Sequence, residues 1–99
     1  MRKRKLPRPF TMHWGGGLIV EEASVESPHH VPTIQLLEYT DGEAAGSVSV
    51  RFCFFSHDGR FQRSPLMMDE EAIDAMRGAL KQTPRLRALI ARMVDEPSP

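Results

Sequence analysis

Three arginines and two aromatic residues in the middle of the chain provide the side chains that binding a single-stranded nucleic acid requires. Arg51, Arg60 and Arg63 carry positive charges that can contact phosphates, and Tyr39 and Phe55 have flat rings on which bases can stack. Stacking of this kind contributes about 1–3 kcal/mol per base. Gln62 adds an amide to this predicted site, and Arg4 and Lys5 add two cations near the N-terminus. The full predicted site is Arg51, Phe55, Arg60, Gln62, Arg63, Tyr39, Arg4 and Lys5.

The same surface fits a second interpretation, in which it contacts a protein and has no nucleic-acid role. An exposed patch that mixes aromatic and basic residues marks an interface without showing what binds there. Phe55 and Leu37 could instead be covered by a second subunit or by the N-terminal segment, and the residue pattern alone slightly favours protein contact. Nucleic acid and protein therefore stand as alternative partners.

The residues most often used in catalysis and metal binding do not form a recognisable pattern. The four histidines and Cys53 lack the paired spacings of a zinc site, and no serine lies in a nucleophile-elbow sequence. Cys53 lies within a predicted strand, where packing is its expected role. We therefore predict a protein that is not an enzyme and that holds no metal and no cofactor.

Zero net charge hides a segregation of charge along the chain. The 99 residues include 13 Lys and Arg and 13 Asp and Glu, and five of the basic residues lie in residues 1–9. That segment also contains two prolines, so we predict a disordered arm that either solubilises the protein or contacts phosphates. Residues 10–99 are expected to form a single domain.

The cysteine content and the length of the apolar runs indicate the cellular compartment of the protein and whether it associates with a membrane. One cysteine excludes an internal disulfide framework and fits a reducing environment. No apolar run approaches the ~18 residues of a membrane span, and the basic N-terminus continues as Leu6-Pro7-Arg8-Pro9 where a secretory signal would be apolar. We predict a cytoplasmic protein with no membrane partner.

The clearest strand pattern lies in residues 47–55, where apolar and other side chains alternate with the period of a half-buried strand. The apolar positions are Val48, Val50, Phe52 and Phe54. We expect the face that carries these four side chains to be the core. The opposite face, which carries Arg51 and Phe55, is expected to be open.

A tight turn is predicted directly after this strand. Asp58 and Gly59 tolerate the positive φ of a two-residue hairpin loop. If His57 faces Arg60, the returning strand at residues 60–68 places Phe61 on the predicted core face. Earlier strands are predicted at residues 18–25 and 33–39.

The last third of the chain changes to a helical period. Apolar residues recur at helical spacing in two stripes: Ile73, Met76 and Leu80, then Leu86, Leu89, Ile90, Met93 and Val94. Asp69 is suited to cap the first helix, and Thr83-Pro84 to cap and begin the second. Strands followed by helices predict an α+β fold, with an antiparallel sheet of about four strands and a kinked or broken pair of C-terminal helices on one face.

The order of elements over residues 33–94 resembles the positive-cofactor-type transcriptional coactivator domain, whose general fold is shared with plant whirly proteins. The similarity consists of Val-Ser-Val-Arg-Phe at 48–52, a Gly-containing polar turn, and Leu-Met-Met at 66–68 before the acidic residues 69–71. The resemblance implies single-stranded DNA binding, an accessory role in transcription and a homodimer built through the C-terminal helices. Residues 86–94 would serve that dimer or the core.

These observations predict a single-stranded nucleic-acid-binding protein, with DNA or RNA as partner. The alternative is a protein-interaction or dimerisation module that uses the same face.

Overall fold

The computed structural model describes residues 5–61 and 66–95, which form five strands followed by two helices. The strands are β1 (Arg8–Met12), β2 (Gly15–Ser24), β3 (Val31–Tyr39), β4 (Val48–Phe55) and β5 (Leu66–Asp69). The helices are α1 (Glu70–Leu80) and α2 (Pro84–Val94). The predicted α+β class is confirmed, with five strands in the antiparallel sheet where about four were expected.

The additional strand, β1, begins inside the segment that was predicted to be a disordered arm. Arg8 and Pro9 pair with Ile19 and Leu18 of β2. Pro9 is tolerated because β1 lies at the edge of the sheet, where one side of the strand has no hydrogen-bonding neighbour. Of the rest of the arm, Lys5 is exposed, and residues 1–4 lie outside the described part of the chain.

Each strand pairs antiparallel with the strand before it, in the order β1-β2-β3-β4-β5. The β3–β4 pairing sets Gln35 opposite Arg51. A register shift between Ile19 and Glu21 inserts one extra residue into β2. Because of this bulge, Glu22 takes the place opposite Gln35 that Glu21 would occupy in a regular ladder.

The buried face of the sheet is the face that was predicted to be open. Its core cluster is Phe10, Ile19, Leu37 and Tyr39, with Met12, Ala44 and Met67 packed against it. In β4, Ser49, Arg51 and Phe55 are buried on this same face. The four residues expected to form the core are half-buried or exposed: Val48, Val50, Phe52 and Phe54. The predicted assignment of the two faces is therefore wrong.

The strands bury much of this face against one another, since the cluster and its packed neighbours come from β1, β2, β3 and β5 and, in the case of Ala44, from the loop between β3 and β4. A sheet that covers its own face must bend, and the bulge in β2 promotes such bending. Gly17 contributes as well, because a Cβ at this position would overlap the backbone carbonyl oxygen of Glu38 in β3. Glycine thus permits a close approach of the two strands at this point.

The loop after β4 has three residues, where two were predicted. The Ser56 amide donates to the Arg60 carbonyl oxygen at 2.8 Å, and the Gly59 amide donates to the Ser56 carbonyl oxygen at 2.9 Å. Gly59 has a φ of 90°, the left-handed conformation that closes a three-residue loop. Phe61 therefore lies opposite Phe55. The predicted pairing of His57 with Arg60, which put Phe61 on the other face, is wrong.

The two helices belong to a second compact unit, Glu70–Pro99, separate from the unit Met1–Asp69. The break between them falls where it was predicted, with Pro84 as the first residue of α2. The Thr83 hydroxyl does not cap α2 and instead donates to the Leu80 carbonyl oxygen at 3.2 Å. No described residue of either helix is buried. Neither helix has the length and apolar character that crossing a membrane would need.

Candidate interaction surfaces

Arg51, the central cation of the predicted site, is buried in the sheet with 8% of its surface exposed. Its Nε donates a hydrogen bond to Gln35 Oε1 at 2.7 Å. Its guanidinium carbon lies 4.8 Å from the centroid of the Phe61 ring. The guanidinium is thus occupied by an amide and an aromatic face, and the expectation that Arg51 lies on an open surface is wrong.

Arg51 ends a row of hydrogen-bonded side chains that crosses four strands, here called the polar ladder: Arg8, Glu22, Gln35 and Arg51. Gln35 Nε2 donates to Glu22 Oε2 at 2.6 Å. Arg8 donates to both Glu22 carboxylate oxygens, at 3.3 and 2.8 Å. These bonds satisfy the charges that burial would otherwise penalise. Sequence reasoning missed Glu22 and Gln35 because the bulge in β2 decides which glutamate enters the row.

Burial shifts the pKa values of Arg51, at the end of the polar ladder, and of Cys53, two residues further along β4. It raises the pKa of the Cys53 thiol, an effect that the nearby charge of Arg51 opposes. It also lowers the pKa of the Arg51 guanidinium. Because the thiolate is the nucleophilic form, a thiol with a raised pKa is poorly suited to covalent catalysis at neutral pH.

The two aromatic residues expected to stack on bases are also buried. Tyr39 is 4% exposed and Phe55 is 3% exposed. The Tyr39 ring meets Phe10 edge to face with the centroids 5.2 Å apart, and the Phe55 ring meets Phe61 in the same way at 5.4 Å. Neither ring presents a free face in this structure, so the expectation that they lie on an open surface is wrong.

Arg60 and Lys5 are the predicted site residues that the structure places at the surface. The Arg60 side chain is 80% exposed, and its guanidinium lies 3.9 Å from Asp58 Oδ2. A hydrogen bond from the Ser56 hydroxyl lowers the pKa of Asp58. The remaining predicted residues, Arg4, Gln62 and Arg63, lie outside the described residues.

Phe61 is the exposed aromatic residue beside Arg60, with 40% of its surface exposed. One part of the ring packs against Phe55 and Arg51, and the rest faces solvent. Arg60 and Phe61 are consecutive, and we call them the Arg60–Phe61 pair. Sequence reasoning assigned Phe61 to the core because it assumed the shorter loop.

The histidines do not converge on a metal site. His57 Nδ1 lies 3.0 Å from Glu26 Oε2, and its Nε2 lies 3.3 Å from the Pro28 carbonyl oxygen. These contacts join the loop after β4 to the loop between β2 and β3. Across residues 5–61 and 66–95, no group of three or more His, Cys, Asp and Glu is placed to hold a metal ion.

Among the described residues of the helical unit, most of the exposed large apolar side chains lie on α2. Five apolar residues one or two turns apart share one side of this helix and are between 38% and 76% exposed: Leu86, Leu89, Ile90, Met93 and Val94. We call them the α2 apolar face. Arg85, Arg87 and Arg92 flank it. The sequence predicted this face for the core or for a dimer, and the chain itself leaves it exposed to solvent.

Comparison with known protein families, curated proteins and solved structures found no match to this chain.

Proposed function

We propose that this protein is a non-enzymatic interaction module that associates with a second copy of itself through the α2 apolar face. The observation that carries the proposal is the exposure of all five of its apolar side chains. Fully burying a Val, Leu, Ile or Met side chain is worth about 1.5–3 kcal/mol. Since these side chains are about half exposed, each would contribute about 1 kcal/mol when it is covered.

A second copy of the chain fits this face because of the distribution of charge in the helical unit. The first turn of α1 carries Glu70 and Glu71, whereas α2 carries only basic charges, on Arg85, Arg87 and Arg92. Two copies arranged antiparallel would bring the acidic turn of one close to the basic helix of the other. The formal net charge of zero adds no overall repulsion between copies.

Sedimentation equilibrium of the full chain and two variants tests this proposal. We expect a reversible dimer with a dissociation constant on the order of 10–100 µM, given the cost of association. Leu89→Asp places a charge in the centre of the α2 apolar face and should give a monomer. Ala88→Asp adds the same charge on the opposite side of α2 and should leave the dimer intact.

A monomeric wild-type chain at millimolar concentration would refute self-association. Equal effects of Leu89→Asp and Ala88→Asp would show that the apolar face is not the contact, because only one of the two charges lies on it.

A second candidate function is single-stranded nucleic-acid binding, favoured by the Arg60–Phe61 pair. A cation beside an exposed ring is the minimal element of a stacking surface. Lys5 and the basic residues of α2 supply further positive charge at the surface. In this proposal the nucleic acid is DNA or RNA and the role is an accessory one in transcription.

Titration of a labelled single-stranded oligonucleotide over a range of salt tests this second candidate. Arg60→Ala should reduce the slope of log affinity against log salt by about 0.7, the value for one phosphate contact on a single strand. Phe61→Ala should cost about 1–3 kcal/mol of binding without changing that slope. Arg77→Ala, an exposed cation on α1, is the control. If deletion of residues 1–7 abolishes binding while Arg60→Ala and Phe61→Ala bind normally, the N-terminal arm acts as a generic polycation and the Arg60–Phe61 pair is not the binding site.

The free thiol of Cys53 supports a reducing compartment, and we propose the cytoplasm for either function.

A further inference from the structure

The sheet carries a second apolar face on the side opposite its core. Two rows of three apolar side chains cross β3, β4 and β5 on that side: Ile34, Phe52 and Leu66, then Leu36, Val50 and Met68. Side chains alternate between the two faces of a strand, and the neighbours Gln35, Leu37, Ser49 and Arg51 are the buried ones. None of the six apolar residues is buried, and Leu66 is 58% exposed. We call these six the outer sheet face.

We infer, on the basis of the proposed self-association, that the outer sheet face receives the α2 apolar face of a second copy. Three strands spaced about 4.8 Å apart give a strip about 10 Å wide, and a helix with its side chains is about 10–12 Å across. The apolar positions of β4 run from Val48 to Phe54, about 20 Å at about 3.4 Å per residue. The α2 apolar face runs from Leu86 to Val94, about 12 Å at about 1.5 Å per residue. The helix therefore fits lengthwise on the sheet.

The charge at the border of the outer sheet face is negative. Glu21 lies opposite Leu36, and Glu38 lies opposite Val48, so both glutamates are on this side of the sheet. Both are exposed, and neither carboxylate has a partner among residues 5–61 and 66–95. No described strand residue on this side of the sheet is Lys, Arg or His.

The charge at the border of the α2 apolar face is positive. At about 100° per residue, Arg85 and Arg92 lie along one side of this face and Arg87 lies along the other. None of the three guanidinium groups has a partner in the described part of the chain. Opposite charges across a contact favour association and fix its orientation. The sheet of one copy and α2 of another therefore complement each other in charge as well as in apolar surface.

The spacing of the charges agrees with this docking. Glu21 and Glu38 are diagonal neighbours on adjacent strands, with Cα atoms about 7–8 Å apart. Arg85 and Arg92 are seven residues apart, about 10 Å along the helix. Long arginine side chains cover the difference, so both glutamates can meet an arginine at once. A contact between two α2 helices would instead bring the arginines of both copies together, and like charges across an interface are unfavourable.

Each copy holds both surfaces, so two copies can exchange α2 reciprocally. Such an exchange closes a symmetric dimer with two equal contacts. Any substitution in either surface then acts twice in the dimer, which increases its effect on the dissociation constant.

Sedimentation equilibrium of full-length variants tests the inference. Glu21→Arg and Glu38→Arg should each raise the dimer dissociation constant about tenfold or more, since each replaces an attraction by a repulsion at both contacts. Glu43→Arg makes the same charge change in the exposed loop between β3 and β4 and should keep the wild-type value. Circular dichroism checks that each variant is folded. If a reversal impairs folding, Glu21→Gln and Glu38→Gln decide, with an expected weakening of about two- to fivefold each.

Mixing two charge-reversed proteins gives a more specific test. One carries Glu21→Arg with Glu38→Arg, and the other carries Arg85→Glu with Arg92→Glu. Each protein alone should be monomeric at concentrations where the wild type forms dimers, because like charges meet at both contacts. The equimolar mixture should form mixed dimers, since opposite charges meet again at both contacts. A mixture that stays monomeric would overturn the inference.

The outcomes separate this inference from the proposed self-association. If the wild type forms dimers and Leu89→Asp abolishes them, while Glu21→Arg and Glu38→Arg keep the wild-type dissociation constant, the outer sheet face is not the contact. The α2 apolar face then still mediates association, by another partner surface. A wild-type chain that is monomeric at millimolar concentration contradicts both proposals.

Discussion

At the scale of single residues, Glu22 has the largest consequence, because its carboxylate accepts three of the hydrogen bonds in the polar ladder. Two come from Arg8 and one comes from Gln35, which in turn accepts the bond from Arg51. Removing one partner from such a network leaves the others buried with unmet hydrogen-bonding capacity.

Glu22→Ala should therefore destabilise the protein by about 3 kcal/mol or more, measured by chemical denaturation at neutral pH. The natural control is Glu21→Ala, because Glu21 is exposed and lies next to Glu22 in the same strand. We expect this control to change stability by no more than about 0.5 kcal/mol. If the two variants were equally stable, the ladder would contribute little to the folded state.

The burial of Arg51 could not be predicted from the residues next to it in the sequence. An arginine between valine and phenylalanine in a strand is expected to face solvent, since charged side chains are rarely buried without a partner. Its hydrogen-bond partner Gln35 lies 16 positions earlier in the sequence, and Glu22, which accepts a hydrogen bond from Gln35, lies 29 positions earlier. This row forms only after β2 and β3 have paired with the bulge in place. Hydropathy at positions 48–55 contains no information about that bulge.

At the scale of elements, the helices were predictable and the face of the sheet was not. The apolar spacing of residues 73–80 and 86–94, together with Pro84, located both helices and the break between them because these signals are local. The alternation in β4 identified a strand, but both of its faces carry large apolar side chains. A difference of one residue in the following loop then moved Phe61 to the opposite face.

Two glycines allow the same substitution to be tested in opposite environments. Gly17→Ala places a methyl group against the backbone of β3 and should weaken or prevent the β2–β3 pairing, with a loss of stability of several kcal/mol. Gly78→Ala lies within α1, and apart from the adjacent helix backbone nothing lies within 4 Å of the added carbon. It should stabilise the helix by about 0.5–1 kcal/mol.

Thermal unfolding followed by circular dichroism measures both changes, with the signal at 222 nm reporting on the helix. A Gly17→Ala protein that unfolds at the wild-type temperature would mean that β2 and β3 are less closely packed than described.

At the scale of the whole molecule, the chain divides into a unit with a buried core and a unit without one. The core cluster lies entirely within Met1–Asp69, and no described residue of α1 or α2 is buried. Isolated helices of 11 residues are marginally stable in water. The stability of the sheet unit should therefore depend little on the helices.

A chain truncated after Asp69 should keep a cooperative thermal transition within about 5 °C of the full-length value, a shift that corresponds to about 1 kcal/mol. It should also be monomeric in sedimentation, since the α2 apolar face is missing. Loss of the cooperative transition would show that the helices support the sheet. Dimers of the truncated chain would place the self-association elsewhere.

The strand order has a consequence for how the protein forms during its synthesis. Because each strand pairs with the one before it, every new strand leaves the ribosome after its first partner has already been made. During translation, no strand therefore has to wait unpaired until a partner far along the sequence has been made. Unpaired strands of that kind expose nascent sheets to aggregation. At about 5–20 residues per second, the sheet can grow one hairpin at a time over several seconds. The helices, and with them the α2 apolar face, appear only when the sheet is complete.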